Sequence, residues 1–249
     1  MSKETRGTVI VTGGGRGIGA EVVQLCAQAG HDVLFTYVSK PHRAREVVDR
    51  CVPYGVKVVA VQADVRDPML ANAVVEQAER LSAVIGLVNN AGITSRIGSF
   101  LDVDIDTMRD VLDVNVLGTM VMCQAVVRHW VGRGSGGSIV NVSSIAATLG
   151  SPGEYVHYAG SKAAVEGFTI GLAKEFADQG IRANVVSPGT TDTEIHALSG
   201  EPGRAERVAP KIPMKRAGDP REIAEAIAWM LSDKASYVTG TVLRVAGGL

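Results

Sequence analysis

Two side chains able to move a proton stand four residues apart in the stretch Gly153-Glu154-Tyr155-Val156-His157-Tyr158-Ala159-Gly160-Ser161-Lys162. On a helix, Tyr158 and Lys162 share one face. A phenol with its ordinary pKa of about 10 is a poor acid or base near neutrality. A fixed positive charge beside it favours the phenolate. The pair therefore suits proton exchange with a carbonyl oxygen. The same spacing also arises where a ring packs under a lysine stem, so the elements around it decide.

The first such element lies near the other end of the chain. Thr8-Val9-Ile10-Val11-Thr12 is a short β-branched run, followed by Gly13-Gly14-Gly15-Arg16-Gly17-Ile18-Gly19 and then by a helical pattern from Ala20. A strand that ends in glycines and opens a helix lets backbone N–H groups and the positive helix end face a pyrophosphate. The spacing Gly13-x-x-x-Gly17-x-Gly19 departs from the G-x-G-x-x-G fingerprint of the commoner dinucleotide folds.

Downstream, the pattern alternates. Strands are expected at 31–37, 56–61, 84–88, 138–142, 181–186 and 241–245, and helices at 41–50, 68–81, 104–131, 155–178 and 220–231. Apolar strands alternating with helices predict an α/β fold: a doubly wound parallel sheet covered on both faces. In such a sheet the ligand lies beyond the carboxyl ends of the strands, where Gly13, Asp64, Asn89, Ser143, Ser144 and Pro188 gather. No linker separates two domains, so 1–249 reads as one unit. The segment 190–215, with Gly200, Gly203 and three prolines, reads as a mobile lid over the site.

Composition narrows the function classes. The 249 residues carry 25 Lys+Arg against 26 Asp+Glu, a net charge of −1, which gives no electrostatic case for nucleic acid or an acidic membrane surface. Cys26, Cys51 and Cys123 are scattered, with no Cys-x-x-Cys and no Cys/His cluster, so neither a disulfide framework nor a metal site is indicated. The polar start Met1-Ser2-Lys3-Glu4-Thr5-Arg6 lacks a signal peptide's apolar stretch, and the apolar run 111–131 is broken by Asp113 and Asn115. A soluble, cytoplasmic protein with a small-molecule substrate is expected.

Four motifs in order resemble the short-chain dehydrogenase/reductase family across essentially the whole chain: Thr12-Gly13-Gly14-Gly15-Arg16-Gly17-Ile18-Gly19, Asn89-Asn90-Ala91-Gly92, a serine with Tyr158-x-x-x-Lys162, and Pro188-Gly189 with Thr193. The resemblance implies a Rossmann-type domain with about seven strands, a nicotinamide cofactor and hydride transfer to or from a carbonyl carbon. It makes Tyr158 the acid in reduction and the base in oxidation. Lys162 would lower the Tyr158 pKa and hold the nicotinamide ribose, and a strand-end serine would donate to the carbonyl oxygen, where charge develops. Ser144 is the choice, fourteen residues before Tyr158, with Ser143 as the fallback. Asn115 stands where the family keeps an asparagine that kinks a helix and binds a relay water; a buried amide capping the helix is the alternative.

By the same resemblance Gly13, Gly17, Ile18 and Gly19 surround the pyrophosphate, and Asp64 and Val65 the adenine. Asn90, Ala91 and Gly92 meet the adenosine ribose, and Pro188, Gly189, Thr191 and Thr193 the nicotinamide end. The second strand ends in Tyr37-Val38-Ser39-Lys40, without the carboxylate that receives an NAD ribose 2′-OH. Arg16 and Ser39, with Lys40 or Arg43, offer donors and charge for a 2′-phosphate, so NADP(H) is expected. His157 reads as a packing or interface residue; His196, in the lid, could touch substrate, though a surface histidine is the better reading. A homotetramer is expected from the family.

The leading reading is an NADP-dependent carbonyl reductase or alcohol dehydrogenase. A 3-oxoacyl-[acyl-carrier-protein] reductase, with Arg128, Arg133 and Lys174 as a possible basic patch, a sugar or polyol dehydrogenase, and a non-catalytic nucleotide-sensing protein are the alternatives. The intact Ser144, Tyr158, Lys162 set speaks against the last.

Overall fold

Every strand of the sheet runs parallel to its neighbours in the computed structural model, which describes residues 7–249. The stretch Met1–Arg6, whose polar character bore on targeting, lies outside those residues. The strands are β1 (Thr8–Thr12), β2 (Asp32–Tyr37), β3 (Val58–Gln62), β4 (Val84–Asn89), β5 (Gly137–Val142), β6 (Ile181–Pro188) and β7 (Val242–Val245). Their order is β3-β2-β1-β4-β5-β6-β7. The order reverses between β1 and β4, and a crevice opens at their carboxyl ends.

The apolar runs are continuous because both faces are covered. Side chains of β1 alternate, with Val9 and Val11 in one core and Ile10 in the other. The first core is closed by α1 (Gly17–Gln28), α2 (Pro41–Cys51) and α10 (Pro220–Leu231), through Val22, Val47 and Ile227. The second is closed by α3 (Pro68–Glu79), α5 (Gly118–Arg133) and α7 (Val156–Phe176), with Trp130 wholly buried. Trp130 Nε1 donates to the Val84 carbonyl at 2.7 Å, so the indole seats its polar edge as well as its apolar body.

Helix starts follow local chemistry. Asp67 accepts from Met69 N ahead of Pro68, and Asp219 forms a capping box with Glu222 ahead of Pro220. Each cap is worth about 1 kcal/mol. Asp104 caps α4 (Ile105–Leu112), accepting from Thr107 N at 2.7 Å.

The expected helix 104–131 is one rod with a fault in it. A π turn, Asp113–Leu117, separates α4 from α5, and Asn115 sits in that turn. By length and composition Ile105–Arg133 is apolar enough to cross a membrane, yet 56% of its most apolar window is buried inside the fold. The third strand begins later than expected, after Gly55 turns the chain at φ +72°. The segment 190–215 is more ordered than a loop. It contains α8 (Ile195–Leu198) and α9 (Arg204–Val208), bridges Thr191 to Gly218, and buries Ile212. One further short helix, α6 (Ala146–Leu149), follows β5.

Candidate active site

The ends of β1 and β4 are fastened before any ligand is considered. Thr12 Oγ1 accepts from Asn90 N and Ala91 N, each at 3.1 Å. Asn90 Nδ2 returns the link, donating to the carbonyls of Thr12 (3.2 Å) and Gly13 (3.0 Å). Asn90 thus braces the turn as well as facing the cavity. Gly13 and Gly17 hold φ of +67° and +52°, which side-chain-bearing residues rarely adopt. Gly19 is needed for a different reason. A Cβ there would lie 2.5 Å from Asn90 Nδ2 and closer still to the Gly13 carbonyl oxygen.

Above this turn lies a cavity of about 420 Å³. Gly13, Arg16, Gly17 and Ile18 form its floor; Ser39, Lys40 and Arg43 stand at one end, and Asp64, Val65 and Arg66 at one wall. Asn90, Ala91, Gly92 and Thr193 complete it, while Gly19 packs behind the turn. The Asp64 carboxylate is held by the Arg66 side chain (Nη2, 2.7 Å), which keeps its pKa below the usual range. A second cavity, of about 380 Å³, meets the first at Ile18, Asn90, Gly92 and Thr193. Pro188, Gly189 and Thr191 line this second part.

The side-chain-free turn, the α1 N-terminus behind it and the cations at the far end match an extended, anionic dinucleotide in shape and charge. The nicotinamide end would then lie toward Tyr158. The residues present fit such a cofactor.

Tyr158, Lys162 and Ser144 all line the second cavity. Burial raises the Tyr158 pKa, and the Ser144 hydroxyl and the Arg204 charge pull it back down. Ser144 is therefore the serine at the phenol. Ser143, the fallback, donates instead to Glu166 Oε1 at 2.7 Å and to the Lys162 carbonyl at 3.3 Å. Strand-end geometry separates two adjacent serines that sequence spacing could not.

Lys162 is anchored through its ammonium group. Its Nζ donates to the Val142 carbonyl at 2.8 Å and lies 5.8 Å from the Tyr158 ring centroid. Arg204, in the segment 190–215, adds a positive charge that opposes the rise of the Tyr158 pKa. Burial pushes the Lys162 ammonium itself down to about 8. Gly92 keeps room beside it, since a Cβ there would meet Asn115 Oδ1 at 3.3 Å and Lys162 Nζ at 3.4 Å.

Asn115 lines neither cavity. Its amide clamps Ile93, accepting from the N–H and donating to the carbonyl at 2.9 Å each, and donates to Ser161 Oγ at 3.0 Å. The π turn thus aims one amide at the loop after β4 and at α7 together. His157 is half-buried, with neither ring nitrogen hydrogen-bonded. His196 corrects the sequence reading. It is 6% exposed, and its Nε2 meets the Thr191 carbonyl at 2.9 Å, so it fastens α8 inward rather than standing on the surface, and it lines the second cavity.

Residues that the sequence did not single out complete the substrate side. Glu154 binds Arg204 Nη2 at 2.5 Å and Arg207 Nη2 at 3.0 Å. The Arg204 guanidinium lies 5.4 Å from the Tyr155 ring centroid, and Tyr155 meets Tyr158 edge-on with centroids 5.4 Å apart. The segment 190–215, the loop before α7 and the phenol form one chain of contacts. No local pattern signals it, because Glu154 and Arg204 are 50 residues apart. Of the cations weighed as a basic patch, Arg133 is paired with Glu79 at 3.3 Å.

Comparison with known proteins agrees with this geometry. A family model described as enoyl-(acyl carrier protein) reductase matches residues 13–249. An uncharacterized oxidoreductase of Escherichia coli (strain K12) is 46% identical over 245 residues, 96% of this chain and 98% of that protein. A short-chain type dehydrogenase/reductase from Mycobacterium marinum superposes with a TM-score of 0.92 at 31% identity, over 98% of this chain and 95% of that one. A blue fluorescent protein from a metagenomic library, in complex with NADPH, does so with a TM-score of 0.87 at 35% identity, over 98% of each chain.

Proposed function

This chain belongs to the short-chain dehydrogenase/reductase family of oxidoreductases acting between CH–OH and C=O, and we propose that it works with NADP(H) on a small carbonyl compound or secondary alcohol. One observation carries the reading: the buried phenol of Tyr158, with Ser144 beside it, faces a cavity continuous with the glycine-floored groove.

A bound nicotinamide, held by the glycine turn and the residues around Pro188 and Thr193, would supply or accept hydride at the carbonyl carbon. The chain's own residues handle the oxygen and its proton. In reduction, the Tyr158 O–H donates its proton as negative charge develops on the oxygen; in oxidation the phenolate takes it back. Ser144 donates a second hydrogen bond to the same oxygen, and preorganised donors of this kind stabilise the developing charge. Lys162, poised near 8 by burial, supplies a proton-exchanging group beside Gly92, where the two cavities meet. Asn115 positions it indirectly, by holding Ile93 and Ser161 around it. The segment 190–215 covers the substrate end, with the Glu154–Arg204 pair as its fastening.

Preference for NADP(H) rests on the charge at the end of β2. Among the residues lining that end, Arg16, Lys40 and Arg43 supply cations and Ser39 a hydroxyl. The similar NADPH-bound protein supports the same choice. Steady-state assays with a panel of ketones, aldehydes and alcohols test both parts, with NADPH and NADH compared in each. We expect higher kcat/KM with NADPH, and a loss of about 10²- to 10⁴-fold in kcat for Tyr158→Phe, with NADPH affinity retained. Turnover unchanged in that variant, or a clear NADH preference, refutes the corresponding part.

A further inference from the structure

Across the mouth of the nucleotide groove, one carboxylate is shared by cations from the opposite wall. Glu194 Oε1 lies 3.3 Å from Arg43 Nη2, and Glu194 Oε2 lies 3.6 Å from Lys40 Nζ. Arg16, from the glycine turn, also feels the Glu194 charge. Glu194 comes from the far side of the groove, directly after Thr193 and before α8. Close approach of the two walls is visible next door. The Thr193 methyl lies 3.4 Å from the point a Cβ on Gly17 would occupy.

Lys40 holds a left-handed backbone, φ +63°, at the start of α2. For a residue other than glycine that conformation persists only where the surroundings fix it. Lys40 is thus committed to this end of the groove by its backbone as well as by its charge.

The strength of the pairs decides what they can do. Lys40, Arg43 and Glu194 have 49%, 47% and 40% of their side chains exposed. Exposed pairs of this kind are weak and salt-sensitive, so a dianion arriving among the same nitrogens displaces the carboxylate or shares them with it. A neutral ribose hydroxyl leaves the pairs as they are.

We propose that Glu194 is a specificity-determining residue: it competes with a cofactor 2′-phosphate for Lys40 and Arg43, holding down the preference for NADP(H) over NAD(H), and the phosphate unfastens α8 from α2 when it binds. This rests on the NADP(H) reading above for the identity of the phosphate. The inference differs from it in placing the discriminating charge on the lid, opposite β2, with a sign that opposes the phosphate.

The experiment titrates the full chain with NADPH and with NADH, for the native protein and for Glu194→Gln and Glu194→Ala, following cofactor fluorescence at two salt concentrations. Both variants should bind NADPH roughly three- to fivefold more tightly, the scale expected from removing a pair of this exposure. NADH affinity should move less than twofold, and the NADPH gain should shrink at high salt. An equal shift for both cofactors, a weaker NADPH complex or no change overturns the inference. Melting curves confirm that the variants fold. A native protein that prefers NADH ends the NADP(H) reading, whereas the inference is judged only by the change on substitution, so the two failures are distinct.

Discussion

The floor of the nucleotide groove is shaped by backbone; the far end of the cleft, at Tyr158, is shaped by charged side chains. At the first, Gly13, Gly17 and Gly19 keep side chains out, and hydrogen bonds from Asn90 and Thr12 tie two adjacent strand ends together. At the second, Glu154, Arg204, Arg207 and Tyr155 fasten a lid to a loop that are distant in sequence. A backbone site is set by the fold and admits one class of ligand. A side-chain site changes with each substitution, which is why one scaffold supports many substrates.

Breaking the backbone side should have the largest effect. Gly19→Ala sets a methyl 2.5 Å from Asn90 Nδ2 and closer to the Gly13 carbonyl oxygen, both parts of the brace itself. Overpacking of this kind costs about 1–3 kcal/mol. We expect a melting temperature lowered by several degrees and NADPH affinity lowered roughly a hundredfold or more, a change of about 2.8 kcal/mol by the usual conversion. Calorimetry and cofactor titration measure the two. Native-like NADPH affinity in the variant would show that the turn yields, and the contrast between the two ends would fail.

The same contrast explains what could be read from the chain alone. Tyr158 and Lys162 were legible as a pair because helical periodicity places residues four apart together, and the glycine turn because strand, turn and helix are consecutive. Ser144 is told apart from Ser143 only where β5 and α7 lie side by side and Ser143 turns to Glu166. Partners distant in sequence left no pattern. Glu194 meets Lys40 and Arg43 across the groove, and Asn115 meets Ile93 through a π turn. His196 was misjudged because histidine in a polar segment is usually exposed, while here the Thr191 carbonyl draws it inward. The Arg204 charge near the phenol left no local sign, since Arg204 and the Tyr155 ring it lies over are distant in sequence.

Breaking the side-chain end should have a smaller and separable effect. Arg204 is 11% exposed on its side chain, and Arg204→Met removes its charge from Glu154, Tyr155 and Tyr158. Loss of one partner of a buried pair costs about 3–5 kcal/mol where the other charge is stranded, but Glu154 keeps Arg207 at 3.0 Å. A rise in KM of about tenfold is the scale we expect, about 1.4 kcal/mol. The limb of the pH–kcat profile set by Tyr158 should also move to higher pH, because the cation favouring its phenolate is gone. NADPH affinity should stay within twofold. A parallel loss of cofactor affinity would mean that the two ends are mechanically one.

Lys162, beside Gly92 where the two cavities meet, gives the smallest effect. Burial depresses its pKa from 10.5 to about 8, so the folded chain releases this proton earlier than the unfolded one. Between about pH 8 and 10.5 the unfolded chain binds more protons at this residue, and its contribution makes stability rise with pH. Below pH 8 both states are charged, and the desolvation penalty is fully present and constant. Cys26, Cys123 and Tyr155, raised to about 12 by burial, act with the opposite sign above their ordinary values, as the unfolded chain loses those protons first. Comparing Lys162→Met with the native protein cancels their contributions. The variant lacks the pH-dependent term but also leaves the Val142 carbonyl without its donor, a constant offset. The difference in melting temperature, variant minus native, should therefore be flat below pH 8 and fall by a few degrees from pH 8 to 10.5. Curves that stay parallel through that window would place the Lys162 ammonium in contact with water, and the joint between the two cavities would be wet.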